Sequence, residues 1–170
     1  EVQLTFSAYL IAFAFGQLIY GPLSDRHGRR PAIFIGLTIY VLGSALSALS
    51  VSIEMLILSR AIQALGGCAG PVLARAIMHD LFDRDQGARL MAFVAMVMGV
   101  APAFAPVFGG YLQVAFGWES IFWALTGVGA LVLILFVLLL RETHAGGSRA
   151  VGSGVLAVLL VYPRLMRSRL

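Results

Sequence analysis

The chain has 170 residues, of which 60% are hydrophobic and only 12% charged, and its mean hydropathy is +0.94. A soluble domain carries about a quarter charged residues, so the composition excludes that class and favours an all-α membrane protein. The basic residues behind the net charge of +4 are all arginines and mostly lie in turns or the C-terminal tail, which indicates a cytoplasmic membrane face and not a nucleic-acid partner.

The sequence offers little for covalent or metal chemistry. Its single cysteine, Cys68, can form no internal disulfide, and no Cys/His spacing suggests a metal site. The sequence has no hydrolase nucleophile motif, no phosphate-binding loop and no pair of intramembrane carboxylates. We therefore predict a protein that is not an enzyme and that uses no metal.

Apolar segments long enough to cross a bilayer predict transmembrane helices at 2–23, 32–49, 53–79, 87–114 and 120–140. Arginines follow the first, third and fifth segments, whereas the turns after the second and fourth have none. By the positive-inside rule, the first helix then enters from outside the cell. We therefore expect a fragment that lacks one upstream helix, and a cytoplasmic linker at 141–170.

The most charged short segment is 21–31, which we predict to be a basic turn between the first two helices. Asp25 ends the first helix and Arg29 lies four residues later, while Asp80 ends the third helix on the same membrane side. An Asp25–Arg29–Asp80 cluster could act as a latch between two conformations. The alternative is that the arginines only set topology. The remaining turn residues of interest are Gly21, Arg26, Gly28 and Arg30.

Arg60 is predicted to lie inside the membrane, about six residues into the third helix and so roughly 9 Å from its outer end. A charge at that depth costs several kcal/mol unless it is paired or hydrated, so it usually marks a cavity or a partner. Gln63 follows on the same helix face. We favour a functional role for Arg60 over simple snorkelling, with carbonyls, water, substrate or an acid elsewhere as its partner.

The fourth predicted helix contains Pro106, Gly109 and Gly110. Proline removes a helix hydrogen bond and glycine removes side-chain bulk, so this helix could bend and let another backbone approach. Such a helix could form a rocking seam, although static bundles contain similar helices.

These motifs together resemble the major facilitator superfamily. Segment 21–31 resembles its signature loop between helices two and three, and 60–66 resembles its fourth-helix motif, an Arg followed by Gln and Gly. Segment 101–110 resembles the fifth-helix antiporter motif Gly-x-x-x-Gly-Pro-x-x-Gly-Gly, with Ala101 and Ala105 replacing two glycines. Together with segments 74–77, 80–82 and 118–123, these motifs are similar to the bicyclomycin/chloramphenicol-resistance (Bcr/CflA) group of bacterial drug:proton antiporters, and the resemblance covers nearly the whole chain.

The resemblance implies a fold and roles for particular residues. Residues 1–140 would be helices two to six of the N-terminal six-helix half, and 141–170 the start of the central linker. The first helix, where such exporters often keep an acidic residue, and the C-terminal half would be missing. By the same resemblance, Asp25, Arg29 and Asp80 would form the cytoplasmic gate. Arg60 and Gln63 would serve proton coupling and the substrate cavity. Pro106, Gly109 and Gly110 would form the seam between the two halves.

The function this implies is proton-coupled antiport of small drugs or amphipathic metabolites by alternating access in a bacterial inner membrane. The expected partners are a small-molecule substrate, protons, the lipid bilayer and the missing C-terminal half, with the proton gradient as driving force and no cofactor. A uniporter or symporter for a small nutrient is the alternative, and a non-transporting membrane scaffold is a third hypothesis. The fifth-helix motif favours the antiporter.

Overall fold

The computed structural model describes residues 2–139, and all the regular secondary structure in that range is α-helical. The predicted linker at 141–170 lies outside the described residues. The helices are α1 (Val2–His27), α2 (Arg29–Ala48), α3 (Ile53–Gly67), α4 (Ala69–Leu81), α5 (Arg84–Phe116) and α6 (Glu119–Leu139).

Helices α3 and α4 form one membrane span, so within residues 2–139 there are five spans that are long and apolar enough to cross a bilayer. This confirms the predicted helices. The prediction of a single third helix at 53–79 was wrong in one respect, because the helix is interrupted at Cys68. Pro71 has no backbone N–H to donate to the carbonyl of Gly67, so the helix hydrogen-bond ladder lacks a bond at this point. The interruption is slight, since Cys68 keeps a right-handed helical backbone.

The predicted basic turn is much shorter than expected. Helix α1 runs on to His27 and α2 starts at Arg29, so only Gly28 lies outside a helix. Gly28 has φ 94°, a left-handed conformation that glycine adopts without a steric penalty, and its N–H donates to Ser24 O at 3.0 Å. Gly21 and Arg26 therefore belong to α1, and Arg30 belongs to α2.

Helix α3 packs along both α1 and α2, and α6 packs on the other side of α2. Glycines allow these close approaches. A Cβ atom on Gly66 would lie 2.6 Å from the Gly36 carbonyl oxygen, and one on Gly129 would lie 2.9 Å from the Tyr40 ring. Because lipid tails are as apolar as leucine, tight backbone packing of this kind is a main source of helix association in a membrane.

Helix α5 is the peripheral member of the bundle. Its main contacts are with α4 and α6, and none of the residues in its most apolar stretch is buried. The helix continues without interruption through Pro106, and a Cβ on Gly109 or Gly110 would have no neighbour within 4 Å among the described residues. The bend at this motif, and its role as a seam, stay predictions.

Candidate functional site

The first part of the candidate site is an ion-pair cluster where α1, α2 and α4 meet, at the end of the bundle that is predicted to be cytoplasmic. Arg29, in the first turn of α2, donates from Nη1 to Asp25 Oδ1 at 2.6 Å and from Nε to Asp80 Oδ2 at 3.0 Å. Asp25 lies in the last turn of α1 and Asp80 near the end of α4. The three residues predicted to form a cluster are therefore in contact, and one guanidinium ties three helices together.

A buried hydroxyl completes this cluster. Arg29 Nη1 also donates to Ser24 Oγ, and that hydroxyl donates to the Gly21 carbonyl at 2.9 Å. Ser24 is fully buried, whereas the side chains of Asp80 and Asp25 are 27% and 54% exposed. The two carboxylates also lie near the positive N-terminal end of α2, which favours an anion. Among the described residues, Asp25 bonds to the Arg29 side chain and not to a backbone amide of α2.

Arg30 binds elsewhere, although it neighbours Arg29 in sequence. Its Nη2 lies 3.5 Å from the Val137 carbonyl oxygen, in the last turn of α6. A cation next to the C-terminal carbonyls of a helix is favourable because those groups carry a partial negative charge. Arg29 and Arg30 thus connect the neighbouring ends of α1, α2, α4 and α6, beyond any effect on topology.

The second part of the site is a hydrogen-bond chain that starts at Arg60. Arg60 Nη1 donates to Gln63 Oε1 at 2.6 Å, Gln63 Nε2 donates to Ser44 Oγ at 2.7 Å, and Ser44 Oγ donates to the Tyr40 carbonyl at 2.8 Å. Arginine can only donate, so the amide of Gln63 must present its oxygen to Arg60. Gln63 is 1% exposed and Ser44 is fully buried, so this chain fixes one side of the guanidinium rigidly.

Two aromatic rings hold the rest of the Arg60 guanidinium. Its carbon Cζ lies 4.4 Å from the centre of the Tyr9 ring on α1 and 5.6 Å from that of Phe122 on α6. A guanidinium over an aromatic face is attracted by the negative face of the ring, and more strongly where water is excluded. Sequence analysis had left the partner of Arg60 open; among the described residues its partners are these two rings and Gln63.

A cavity of about 670 Å³ opens beside Arg60. Residues of α1, α2, α3, α5 and α6 line it, among them Tyr9, Tyr40, Met98 and Pro102. A volume of several hundred Å³ with mostly apolar walls and few polar groups is typical of small-molecule sites. Arg60 and Gln63, the two residues predicted for a substrate cavity, both lie on its wall.

Sequence reasoning missed several residues of both parts. Tyr9 and Phe122 lie far from Arg60 in sequence, and nothing in their own segments indicates that they meet it. Ser24 and Ser44 resemble ordinary small residues of membrane helices, although both are fully buried. For Ser44 a usable signal existed, because Gly43, Ser44 and Ser47 give one face of α2 the small side chains that a close helix partner requires.

Comparison with known proteins agrees with this architecture. Residues 1–168 match the Major Facilitator Superfamily. The chain is 34% identical over 149 residues to the bicyclomycin resistance protein homolog of Haemophilus influenzae, a match that covers 88% of this chain and 37% of the relative. It is 33% identical over 144 residues to the multidrug resistance protein MdtL of Klebsiella pneumoniae, covering 85% and 37%. With multidrug resistance protein D of Escherichia coli the identity is 37% over 119 residues, covering 70% and 30%. The matched segment thus spans about a third of the length of these relatives, from 30% to 37%.

Proposed function

This chain belongs to the major facilitator superfamily, and we propose that it forms part of a proton-coupled efflux transporter for small drugs or amphipathic metabolites. It is a multi-pass protein of the bacterial inner membrane. Relatives named for bicyclomycin and multidrug resistance support a drug or drug-like substrate. The proposed mechanism is alternating access, in which two halves of a bundle rock about a site near the middle of the membrane.

The observation that carries the proposal is Arg60, a permanent cation held inside the membrane beside an open cavity. Arginine stays protonated at all physiological pH values, so Arg60 cannot itself carry the coupled proton. Its proposed role is electrostatic: it favours the ionised form of a carboxylate that approaches it, and it releases that carboxylate when a proton arrives. We place that carboxylate in the upstream helix that the resemblance implies.

The Asp25–Arg29–Asp80 cluster supports the second half of the mechanism, a latch at the cytoplasmic mouth. Both of its carboxylates are partly exposed, so its bonds are weak enough to break during each cycle. In the proposed cycle the cluster is intact while the cytoplasmic side is closed and is broken when that side opens.

Transport by the full-length protein in proteoliposomes tests this proposal. A pH gradient is imposed and export of a fluorescent drug is followed for wild type, Arg60→Ala and Arg75→Ala. Arg75, in the same membrane span, lines a separate groove at the cytoplasmic end and is the matched control. We expect Arg60→Ala to abolish gradient-driven export while Arg75→Ala retains most of it.

Two outcomes would contradict the proposal. Gradient-driven export that is unchanged in Arg60→Ala would remove Arg60 from the coupling mechanism. Wild-type flux that ignores the pH gradient, or that proceeds inward with the proton, would instead identify a uniporter or a symporter. Variant levels in the membrane are measured alongside, so that loss of protein is not mistaken for loss of transport.

A further inference from the structure

The cavity beside Arg60 carries information about the charge of its ligand. Its walls combine apolar side chains, such as Leu10, Met98 and Leu125, with the guanidinium of Arg60. None of the lining residues is acidic. The carboxylates of the described residues lie in turns or within the first or last helical turns, at Asp25, Glu54, Asp80, Asp83, Asp85 and Glu119.

Arg60 has hydrogen-bonding capacity that the described residues do not use. A guanidinium has five N–H donors, and the bond to Gln63 Oε1 uses one of them. Within residues 2–139, no fully buried side-chain nitrogen or oxygen lacks a hydrogen-bond partner, so Arg60 Nε and Nη2, which have no acceptor among these residues, are not fully buried. Because Arg60 lines the cavity, a ligand that enters comes next to this guanidinium.

One aromatic ring of the cavity wall is already engaged by a cation. Of the rings that line the cavity, Phe6, Tyr9 and Tyr40, it is Tyr9 that lies against the Arg60 guanidinium, which Phe122 covers from α6. A ligand cation could stack on Tyr9 only by displacing Arg60, and at any ring of the cavity it would be repelled by the Arg60 charge. A ligand that carries a hydrogen-bond acceptor meets neither obstacle among the described residues. Once the proposed upstream carboxylate has been protonated and has left Arg60, a ligand carboxylate can bind the guanidinium through two parallel bonds.

We propose that this cavity selects small apolar molecules that carry a hydrogen-bond acceptor, best of all a carboxylate, and that it discriminates against cationic ones. Arg60 supplies the donors, while Tyr9 and Phe122 act as positioning residues that hold the guanidinium toward the cavity. The inference rests on the proposed function for the identity of the cavity as the substrate site, but its content is the chemical class of the ligand.

Equilibrium binding to the full-length purified protein at neutral pH tests the inference without any proton gradient. The probes are 4-tert-butylbenzoate, 4-tert-butylbenzyl alcohol and 4-tert-butylbenzylammonium, which share one apolar body and differ in charge. We expect wild type to bind the benzoate at least about tenfold more tightly than the ammonium compound, with the alcohol between them. Equal or tighter binding of the ammonium compound, or no binding of the benzoate, would overturn the inference.

Variants then assign the preference to Arg60. Arg60→Gln is expected to abolish the difference between benzoate and ammonium, whereas Arg75→Gln, which removes an arginine from the same span outside the cavity, should keep it. Tyr9→Leu should reduce the difference by several-fold, and Tyr9→Phe, which keeps the ring, should restore it. A preference that survives Arg60→Gln would contradict the assignment. The wild-type comparison needs no variant, so it decides the matter even if Arg60→Gln does not fold.

This experiment separates the inference from the proposed function. Preferential binding of the benzoate, together with export that does not depend on the proton gradient, would contradict only the coupling mechanism. Gradient-driven export of lipophilic cations, together with no binding of the benzoate, would contradict only the inference about the ligand's charge.

Discussion

The close approach of α2 and α3 gives the sharpest prediction about stability, through the substitution Gly66→Ala. A Cβ on Gly66 would overlap the backbone nitrogen of Tyr40 and lie 2.6 Å from the Gly36 carbonyl oxygen. Both obstacles are backbone atoms of α2, so no side chain can rotate away to make room. Ordinary contact begins at 3.4 Å, so relief of the Gly36 contact alone requires the two helices to separate by about 0.8 Å, and the closer Tyr40 contact requires more.

That separation also breaks bonds that connect the two helices. The Gln63 Nε2–Ser44 Oγ bond of 2.7 Å and the Ser47 Oγ–Ser59 Oγ bond of 2.9 Å would both stretch to about 3.5 Å or beyond, outside hydrogen-bonding range. Overpacking costs roughly 1–3 kcal/mol, and each interhelical bond in a membrane contributes about 0.6 kcal/mol. Together these terms lower the free energy of unfolding by about 2–4 kcal/mol.

The assay is equilibrium unfolding in mixed detergent micelles, with Gly70→Ala as the matched control. A Cβ on Gly70 would have no neighbour within 4 Å, and this residue lies in the first turn of α4. Replacing a helical glycine by alanine there should stabilise the protein slightly, by up to about 1 kcal/mol. If Gly66→Ala proved as stable as Gly70→Ala, the close packing of α2 on α3 could not be what holds the bundle together.

Asp80→Asn should weaken the cytoplasmic cluster by about 1 kcal/mol, and Asp25→Asn should weaken it by less because Asp25 is more exposed. The resulting opening is measured by the rate at which cysteines introduced at the cytoplasmic mouth are modified. Equal opening in both variants would contradict this ranking. Tyr9→Leu should destabilise the protein by about 1 kcal/mol through loss of the ring beneath Arg60, whereas Tyr9→Phe should have little effect. Thermal unfolding distinguishes the two variants, and an equal loss of stability in both would argue against a ring–cation contact. Cys68, the single cysteine, is fully buried and should resist maleimide until the protein unfolds. Labelling of native protein at the rate of a free thiol would show that the α3–α4 junction opens.

The membrane spans and the cytoplasmic cluster could be predicted from the sequence for physical reasons. A bilayer requires about 20 apolar residues per helix, so length and composition alone locate the spans. The Asp25–Arg29 pair follows from a four-residue spacing, and Asp80 had to lie on the same membrane side because one complete hairpin separates it from Arg29. The contact between Arg29 and Asp80 then needed only that α2 and α4 be neighbours.

The surroundings of Arg60 could not be predicted in the same way. Gln63 shares a helix face with Arg60 and could be predicted, but Tyr9 and Phe122 come from two other helices, and their meeting with Arg60 depends on the rotation of each helix about its own axis. Composition does not determine that rotation, because helices exposed to lipid are apolar on nearly every face. The length of the basic turn was misjudged for another reason: charged residues were assigned to a loop, although the last helical turn at a membrane surface tolerates arginine well.

Helix α5 has a consequence for how the protein is made. Its mean hydropathy over the most apolar stretch is 2.1, compared with 1.4 for the span Ile53–Leu81, whose residues are far better packed. A segment as apolar as α5 can leave the translocon and remain in lipid alone, whereas the less apolar span gains from neighbours that cover its polar groups. During biogenesis, α1, α2 and α3 would therefore consolidate early, with α5 held in the bilayer by its own hydropathy and docking last.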